Sequence, residues 1–301
     1  MQMLRQTAVH ALSLFQKMTA SESLSVVITT YNRSDALLVV LAGLIRQTDR
    51  NFEVIVADDG SREDQQSLLR HSEQAKVLNA THVWHPDVGF TASKVRNRGV
   101  AAAHGNYIVF LDGDCVPETD FIARHKQLAQ ADHFVNGSRV LLSSALTQRV
   151  ILGEENICGR KAYFWLPQRL HGDASKLTHL LRLPDSSWRT QRDFSWKGIR
   201  SCNMGVWRSD FERVDGFDES FVGWGHEDAD FVLRLHHAGV SRKNGFCATE
   251  VYHLWHPEAA RNNESQNART VHERIGTGIV RASKGYAQTR HNDDAVVTRL
   301  G

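Results

Sequence analysis

The run Tyr107-Ile108-Val109-Phe110-Leu111 carries no charged or amide side chain and ends directly at Asp112-Gly113-Asp114. A strand that is apolar at every position has to be covered on both faces, which is the situation in a parallel sheet sandwiched between helices. The chain before it suits the same architecture. Residues 25–30 form a β-branched run. Residues 35–47 carry Leu37, Leu38, Leu41, Leu44 and Ile45 on one helical stripe, with Ser34 as the expected N-cap, and residues 52–57 read as a second strand. A polar helix over 62–73, an extended piece near 77–84 and a small-residue helix over 92–104, stopped by Gly105, come next. This alternation predicts an α/β fold with a doubly wound, mixed, Rossmann-like sheet flanked by helices.

Ligands of such sheets bind at the carboxyl ends of the strands. Asn32 and Arg33 follow the first strand, Asp58 and Asp59 the second, and Asp112 and Asp114 the later one, so all three pairs are expected on one rim. No G-x-G-x-x-G follows the first strand and no P-loop occurs, which argues against a nicotinamide dehydrogenase or an ATPase. The acidic rim points to a nucleotide held through a metal. Composition narrows the partners further. Lys+Arg 36 against Asp+Glu 34 gives a formal net charge of +2, too little to recruit nucleic acid, and membrane association is at most peripheral. Cys115, Cys158, Cys202 and Cys247 form no C-x-x-C pair and read as reduced thiols of a cytoplasmic protein.

The expected organisation is an N-terminal helical extension (1–23), a nucleotide-binding half (24–140), an irregular acceptor-side segment (141–200), a C-terminal catalytic and acceptor half (201–285) and a frayed polar tail (286–301). In the C-terminal half a helix is expected over 227–238, ended by Gly239.

Four constellations could carry chemistry. In an extended segment side chains two apart point the same way, so Asp112 and Asp114 could face one cation, with Gly113 admitting phosphates to the backbone. A turn rich in Asp and Gly is the plainer alternative. At Asp58-Asp59-Gly60-Ser61 a carboxylate could accept from a base N–H or a ribose hydroxyl, or Ser61 or Asp59 could cap the next helix. Glu227-Asp228 opens a helix behind Gly223-Trp224-Gly225. The helix dipole alone favours acids there, yet a carboxylate so placed also suits a general base beside a sugar, with Trp224 as the stacking aromatic. His253 or His256, combined with Asp114, would complete an oxygen–nitrogen site that favours Mn²⁺ over Mg²⁺.

In order, Thr29-Thr30-Tyr31-Asn32-Arg33, Val56-Ala57-Asp58-Asp59-Gly60-Ser61, Arg96-Asn97-Arg98-Gly99 and Phe110-Leu111-Asp112-Gly113-Asp114 resemble the family-two glycosyltransferases of the GT-A fold. The stretch from Gly216-Phe217-Asp218 through Gly223-Trp224-Gly225-His226-Glu227-Asp228 is similar to a segment shared by bacterial chondroitin-polymerase domains and animal galactosyl- and N-acetylgalactosaminyltransferases. The resemblance implies that Thr30, Tyr31, Asn32 and Arg33, with Asp58 and Asp59, hold the uracil and ribose of a UDP-sugar. It implies that Asp112 and Gly113 lie at the diphosphate, with Lys94, Arg96 and Asn97 nearby. Asp114 becomes a direct ligand of Mn²⁺ (Mg²⁺ being the alternative), Asp112 a second one, and His253 the distal ligand with His256 its rival. Asp228 becomes the catalytic base, while Glu227 and Trp224 meet the acceptor in a C-terminal lid region. Cys115 stands where many relatives carry a further acidic residue. The implied reaction is inverting, metal-dependent transfer of a hexose or N-acetylhexosamine from a UDP-sugar to a hydroxyl of a glycan or glycolipid. Two other readings compete: a degenerate transferase that binds a nucleotide-sugar or glycan without turnover, and a metal-dependent nucleotidyltransferase or hydrolase on the same rim. The intact Asp112, Asp114, Asp228 and His253 set weighs against the first. The Gly223–Asp228 stretch, unneeded for nucleotidyl transfer, weighs against the second.

Overall fold

The computed structural model describes residues 23–257, 263–291 and 294–301; apart from Ser23, the expected N-terminal extension lies outside them. Its strands are β1 (Leu24–Thr30), β2 (Phe52–Asp58), β3 (Thr81–Trp84), β4 (Tyr107–Asp112), β5 (Cys115–Pro117), β6 (His133–Asn136), β7 (Ser138–Leu141), β8 (Thr190–Gln191), β9 (Asn203–Trp207), β10 (Ser241–Asn244), β11 (Glu250–His253) and β12 (Val296–Arg299). One sheet has the order β12-β3-β2-β1-β4-β9-β6-β10-β8, and a smaller one has the order β5-β11-β7. β3, β2, β1 and β4 are mutually parallel, as the strand–helix alternation requires. β9 then enters antiparallel between β4 and β6, so the two halves read from the sequence share one sheet.

The uninterrupted apolar run behaves as its composition demands. Every residue of Tyr107–Leu111 is fully buried. Tyr107, Val109 and Leu111 join one core with Leu24, Val26 and Ile28, whereas Ile108 and Phe110 join the opposite core with Val27 and Ile55. Pleating sends alternate side chains to opposite faces, and helices cover both.

Three local expectations are corrected. Ser34 does not cap the helix Ser34–Ile45; Arg33 occupies the cap position without a side-chain bond. Ser34 sits inside the first turn, its Oγ donating to the Gln65 carbonyl at 2.8 Å and its N–H to Gln65 Oε1 at 3.1 Å, so a tertiary partner replaces the local one. The polar helix expected over 62–73 breaks into Glu63–His71 and Glu73–Val77, because Ser72 is extended and its Oγ accepts from the Ala75 N–H. The tail expected to fray instead supplies the edge strand β12, paired with β3. Asp294 receives Lys94 and Arg98, which anchors that strand to the helix Ala92–Ala102. A sheet edge presents unpaired backbone groups, and β12 satisfies them.

The segment that the sequence left irregular is ordered by side chains. It contains the helices Ser144–Ile151 and Ala162–Leu170. Trp165 stacks on Tyr252 at 4.7 Å between ring centroids and 12° between planes, and Arg182 donates to both oxygens of Asp120.

The helix Ala92–Ala102 approaches the sheet most closely at Gly99. A Cβ there would be driven into Val27 Cγ1 and would stand 3.1 Å from Ala57 Cβ. Gly99→Ala is therefore expected to lower unfolding free energy by about 1–3 kcal/mol through overpacking, read as a lower urea midpoint at unchanged m-value.

Candidate functional site

Register aligns the strand tips. Thr30 is level with Asp58 across β1–β2, and Thr29 with Asp112 across β1–β4. The rim expected at the carboxyl ends thus exists, and each residue on it can be placed.

At β1–β2, Asp58 and Asp59 diverge. Asp58 is turned inward at 1% exposure, accepting from the Ser61 N–H at 2.8 Å and from His82 Nε2 at 3.0 Å. Both bonds hold the turn that follows β2. Asp59 accepts from the Thr91 N–H at 2.9 Å and from the Thr91 hydroxyl, with His85 Nε2 3.1 Å from Oδ1. Neither Asp59 nor Ser61 caps a helix; Arg62 holds that position without a side-chain bond. Gly60, at φ +94°, is required because a Cβ there would lie 2.5 Å from Asp87 Cα, so the 85–91 loop passes directly over it.

Tyr31 is half-exposed, and its hydroxyl donates to Asp87 at 2.9 Å, leaving a ring available for stacking beside that loop. Asn32, at φ 50°, is used internally: its N–H donates to Ser61 Oγ and its Oδ1 accepts from the Arg62 N–H. Arg33 pairs with Asp35 at 3.1 Å. The Thr30 hydroxyl is buried with no hydrogen-bond partner among the described residues.

At the tip of β4 the chain turns at Gly113, whose N–H donates to the Thr29 carbonyl at 2.8 Å. Asp112 and Asp114 therefore do not line one extended face, contrary to expectation, and they meet different neighbours. Asp112 Oδ1 accepts from Thr29 Oγ1 at 2.8 Å and lies 3.5 Å from Arg96 Nη2. Asp114 faces His256 Nε2 at 3.2 Å and His253 Nε2 at 3.8 Å. A Cβ on Gly113 would lie 2.9 Å from the Thr29 carbonyl oxygen and 3.3 Å from Thr30 Oγ1, so glycine keeps the backbone against the rim.

Arg96 joins this strand end to the C-terminal half. Its guanidinium reaches Glu227 Oε1 at 3.1 Å and lies 5.2 Å from the centroid of the Phe217 ring. Burial works against its charge, but Asp112, Glu227 and Asp228 outweigh that and hold its pKa above the usual value. Glu227 is buried and pairs with Arg96, bridging the two halves of the sheet's rim. Asp228 is less covered, with its Oδ1 accepting from the Ala229 N–H at 2.8 Å. Burial, then the neighbouring Glu227, pushes its carboxyl up to about 7 against the pull of Arg96. Trp224 lies between Gly223 (φ +76°) and Gly225 (φ +103°), and His226 continues at φ 66°. Asn263 and Asn267 donate to the Val222 and Gly225 carbonyls, fastening this loop to the helix Glu264–Arg274.

Lys94 and Asn97 are engaged by other parts of the chain. Lys94 pairs with Asp294 at 3.3 Å. Asn97 is fully buried; it accepts from the Phe217 N–H at 2.9 Å and donates to the Phe217 carbonyl at 2.9 Å and to Glu219 at 3.0 Å. Thr29, His82, His85 and Thr91 were missed by sequence reasoning. Thr29 was findable as the first residue of the Thr29–Arg33 motif, but the other three lie where no periodicity or motif marks them.

The corner at Asp114 suits a divalent cation by its donor chemistry, a carboxylate facing two imidazoles. Burial keeps the His253 pKa below its ordinary value despite Asp114, which favours the neutral ring that a metal ligand needs. The orphaned Thr30 hydroxyl and Arg96 Nε are donors left over near the same rim, where an anionic ligand would use them.

Residues 25–182 match the family model for glycosyl transferase family 2, and residues 186–257 match that for the N-terminal domain of galactosyltransferase. The chain belongs to glycosyltransferase family 2. It is 30% identical over 275 residues to a chondroitin synthase of Escherichia coli, covering 84% of this chain and 37% of that one. It is likewise 30% identical over 241 residues to a validoxylamine A glucosyltransferase of Streptomyces hygroscopicus subsp. jinggangensis, covering 72% and 52%. A hyaluronan synthase of Pasteurella multocida is 30% identical over 281 residues, covering 87% and 27%. The chain thus spans about half or less of the length of these relatives. A mannosyltransferase of Pyrobaculum calidifontis, solved with GDP-Man and Mn²⁺, superposes with a TM-score of 0.52 over 91% of this chain and 77% of that one at 15% identity, which places the fold in the GT-A class. No helix among the described residues is long and apolar enough to cross a membrane.

Because Asn97 satisfies both backbone groups of Phe217, Asn97→Ala leaves two buried polar groups unpaired. It should cost at least about 1–3 kcal/mol, read as a lower midpoint in chemical denaturation.

Proposed function

We propose that the protein is an inverting, metal-dependent glycosyltransferase that moves a hexose or N-acetylhexosamine from a UDP-sugar to a hydroxyl of a glycan or glycolipid. The observation that carries this reading is the Arg96 bridge. It holds Asp112, at the donor rim, and Glu227-Asp228, at the start of the C-terminal helix, around one guanidinium beside the Asp114–histidine corner. A donor carboxylate cluster and a candidate base thereby border one space.

In this reading the open face of Tyr31 stacks the base, and Thr30 and Asp59 bound the nucleoside. Asp114, together with His253 or His256, would hold a divalent cation, with Asp112 nearby. When bound, such a cation would supply positive charge for the departing diphosphate. Arg96 lies alongside and strengthens that neutralisation, since its own charge is secured by three carboxylates. Asp228 accepts the proton of the attacking hydroxyl, which approaches the anomeric carbon opposite the diphosphate, so configuration inverts. Trp224 supplies an apolar face for the acceptor sugar and helps to exclude water. The likeness to chondroitin and hyaluronan synthases supports a polysaccharide product. The Mn²⁺ in the mannosyltransferase complex supports a divalent cation. The reading includes a cytoplasmic enzyme with at most peripheral membrane contact.

Calorimetric titration of UDP, GDP, CDP and dTDP tests the donor. UDP alone should bind, only with Mn²⁺ present, and Asp114→Ala should abolish it; binding of no nucleotide in the presence of metal sinks the mechanism. The base has its own test in the pH profile. A carboxylate must be deprotonated to accept a proton, so kcat/KM should rise about tenfold per pH unit below about 7 and level off above it. Asp228→Asn should lose that limb and about 10²–10⁴-fold in kcat.

A further inference from the structure

Asp114 shows its two oxygens to different surroundings. Oδ2 lies 3.2 Å from His256 Nε2, on the more open side of the corner. Oδ1 lies 3.5 Å from Cys115 Sγ and 3.8 Å from His253 Nε2. Asp114, Cys115 and His253 each bring one ligand atom within 4.8 Å of the other two. Strand pairing creates this convergence. Cys115 and His253 stand directly opposite each other in the antiparallel β5–β11 ladder, so their side chains leave the same face. The Leu254 N–H donates to the Asp114 carbonyl at 2.9 Å and extends that register to the third member.

Resting on the metal-dependent reading above, we propose that Cys115 is itself a ligand of the cation, completing an oxygen–nitrogen–sulfur set with Asp114 and His253. His256 then faces the outer oxygen of Asp114 and orients the carboxylate, which decides between the two histidines. The ligand atom on Cys115 is a sulfur at the buried base of the corner. A sulfur ligand changes which ions the site retains: it favours soft or borderline cations such as Zn²⁺, Co²⁺ and Cd²⁺ and discriminates against Mg²⁺, which prefers an all-oxygen shell. The sequence signal is a thiol directly after the Asp-x-Asp pair.

Titration of the full chain with Co²⁺ separates the claims, because visible d–d bands report binding whereas a sulfur-to-cobalt charge-transfer band in the near ultraviolet reports the ligand type. Both are expected at one equivalent. Cys115→Ser should keep the d–d bands and lose the charge-transfer band, and Cys202→Ser should keep both. Binding without charge transfer, or charge transfer that survives Cys115→Ser, overturns the sulfur ligand and leaves the metal site standing. No cobalt spectrum at all overturns the metal reading with it. X-ray absorption on the wild-type Zn²⁺ complex needs no variant: one sulfur at about 2.3 Å supports Cys115, and a shell of oxygen and nitrogen alone refutes it.

Discussion

Arg96 is a cation withdrawn almost wholly from water, and the rest of the site is arranged around the need to keep it charged. Burial opposes the charge, and three carboxylates from two distant stretches of chain restore it: Asp112 at the end of β4, and Glu227 and Asp228 at the start of a helix. Removing one member of such a buried set leaves the others uncompensated, typically at about 3–5 kcal/mol. The electrostatic requirement therefore acts as a geometric one and fixes how far the donor rim stands from the candidate base. Phe217 lies against the guanidinium and stacks on Phe231 of that same helix at 4.3 Å, so aromatic packing sets the orientation that charge alone would leave free.

The neighbours of Arg96 on its helix extend this bracing. Asn97 grips both backbone groups of Phe217, and Gly99 lets the helix press against β1 and β2. Arg98 reaches Asp294 and ties down the chain leading into β12. A second buried network holds the far side of the helix Glu227–His237: Arg274 bridges Asp218 and Asp230, and Arg234 pairs with Asp230 at 2.8 Å. Burial resists the Asp218 charge, but N–H donors from Ser220 and Ser283 together with Arg274 bring its pKa down to about 2. The candidate site is thus an edge shared by two braced bodies of side chains rather than a pocket cut into one.

Much of this was legible in the chain. An apolar strand that ends in Asp-Gly-Asp can occupy few places in an α/β fold, and β1, β2, β4 and their helices follow from period and punctuation. Asp114, His253, His256, Arg96 and Asp228 were all singled out; the structure brings Asp114 to the two histidines and Arg96 to the Glu227-Asp228 helix start. Other residues of the same type and spacing went elsewhere. Asp58 and Asp59 are adjacent acids at one strand end, yet one is turned into the sheet by His82 and Ser61 and the other is engaged by Thr91 and His85. Lys94, Arg96 and Asn97 lie within one helical turn, but only Arg96 faces the site. Neighbouring positions on a helix point in different directions, and which direction is buried against what is a property of the partner element.

The sequence by itself determined the class of the sheet and the level at which its acidic residues emerge, because hydrophobic period and strand-end chemistry are local properties, while its family was legible only as a resemblance of motifs. Only the tertiary structure decided that the polar tail is an edge strand, that Glu227 faces Arg96, and that β5 and β11 pair so as to bring Asp114, Cys115 and His253 together. Each of these depends on a contact between segments far apart in the chain, with backbone or charge on one side seeking a complement on the other. No window of sequence contains both sides of such a contact.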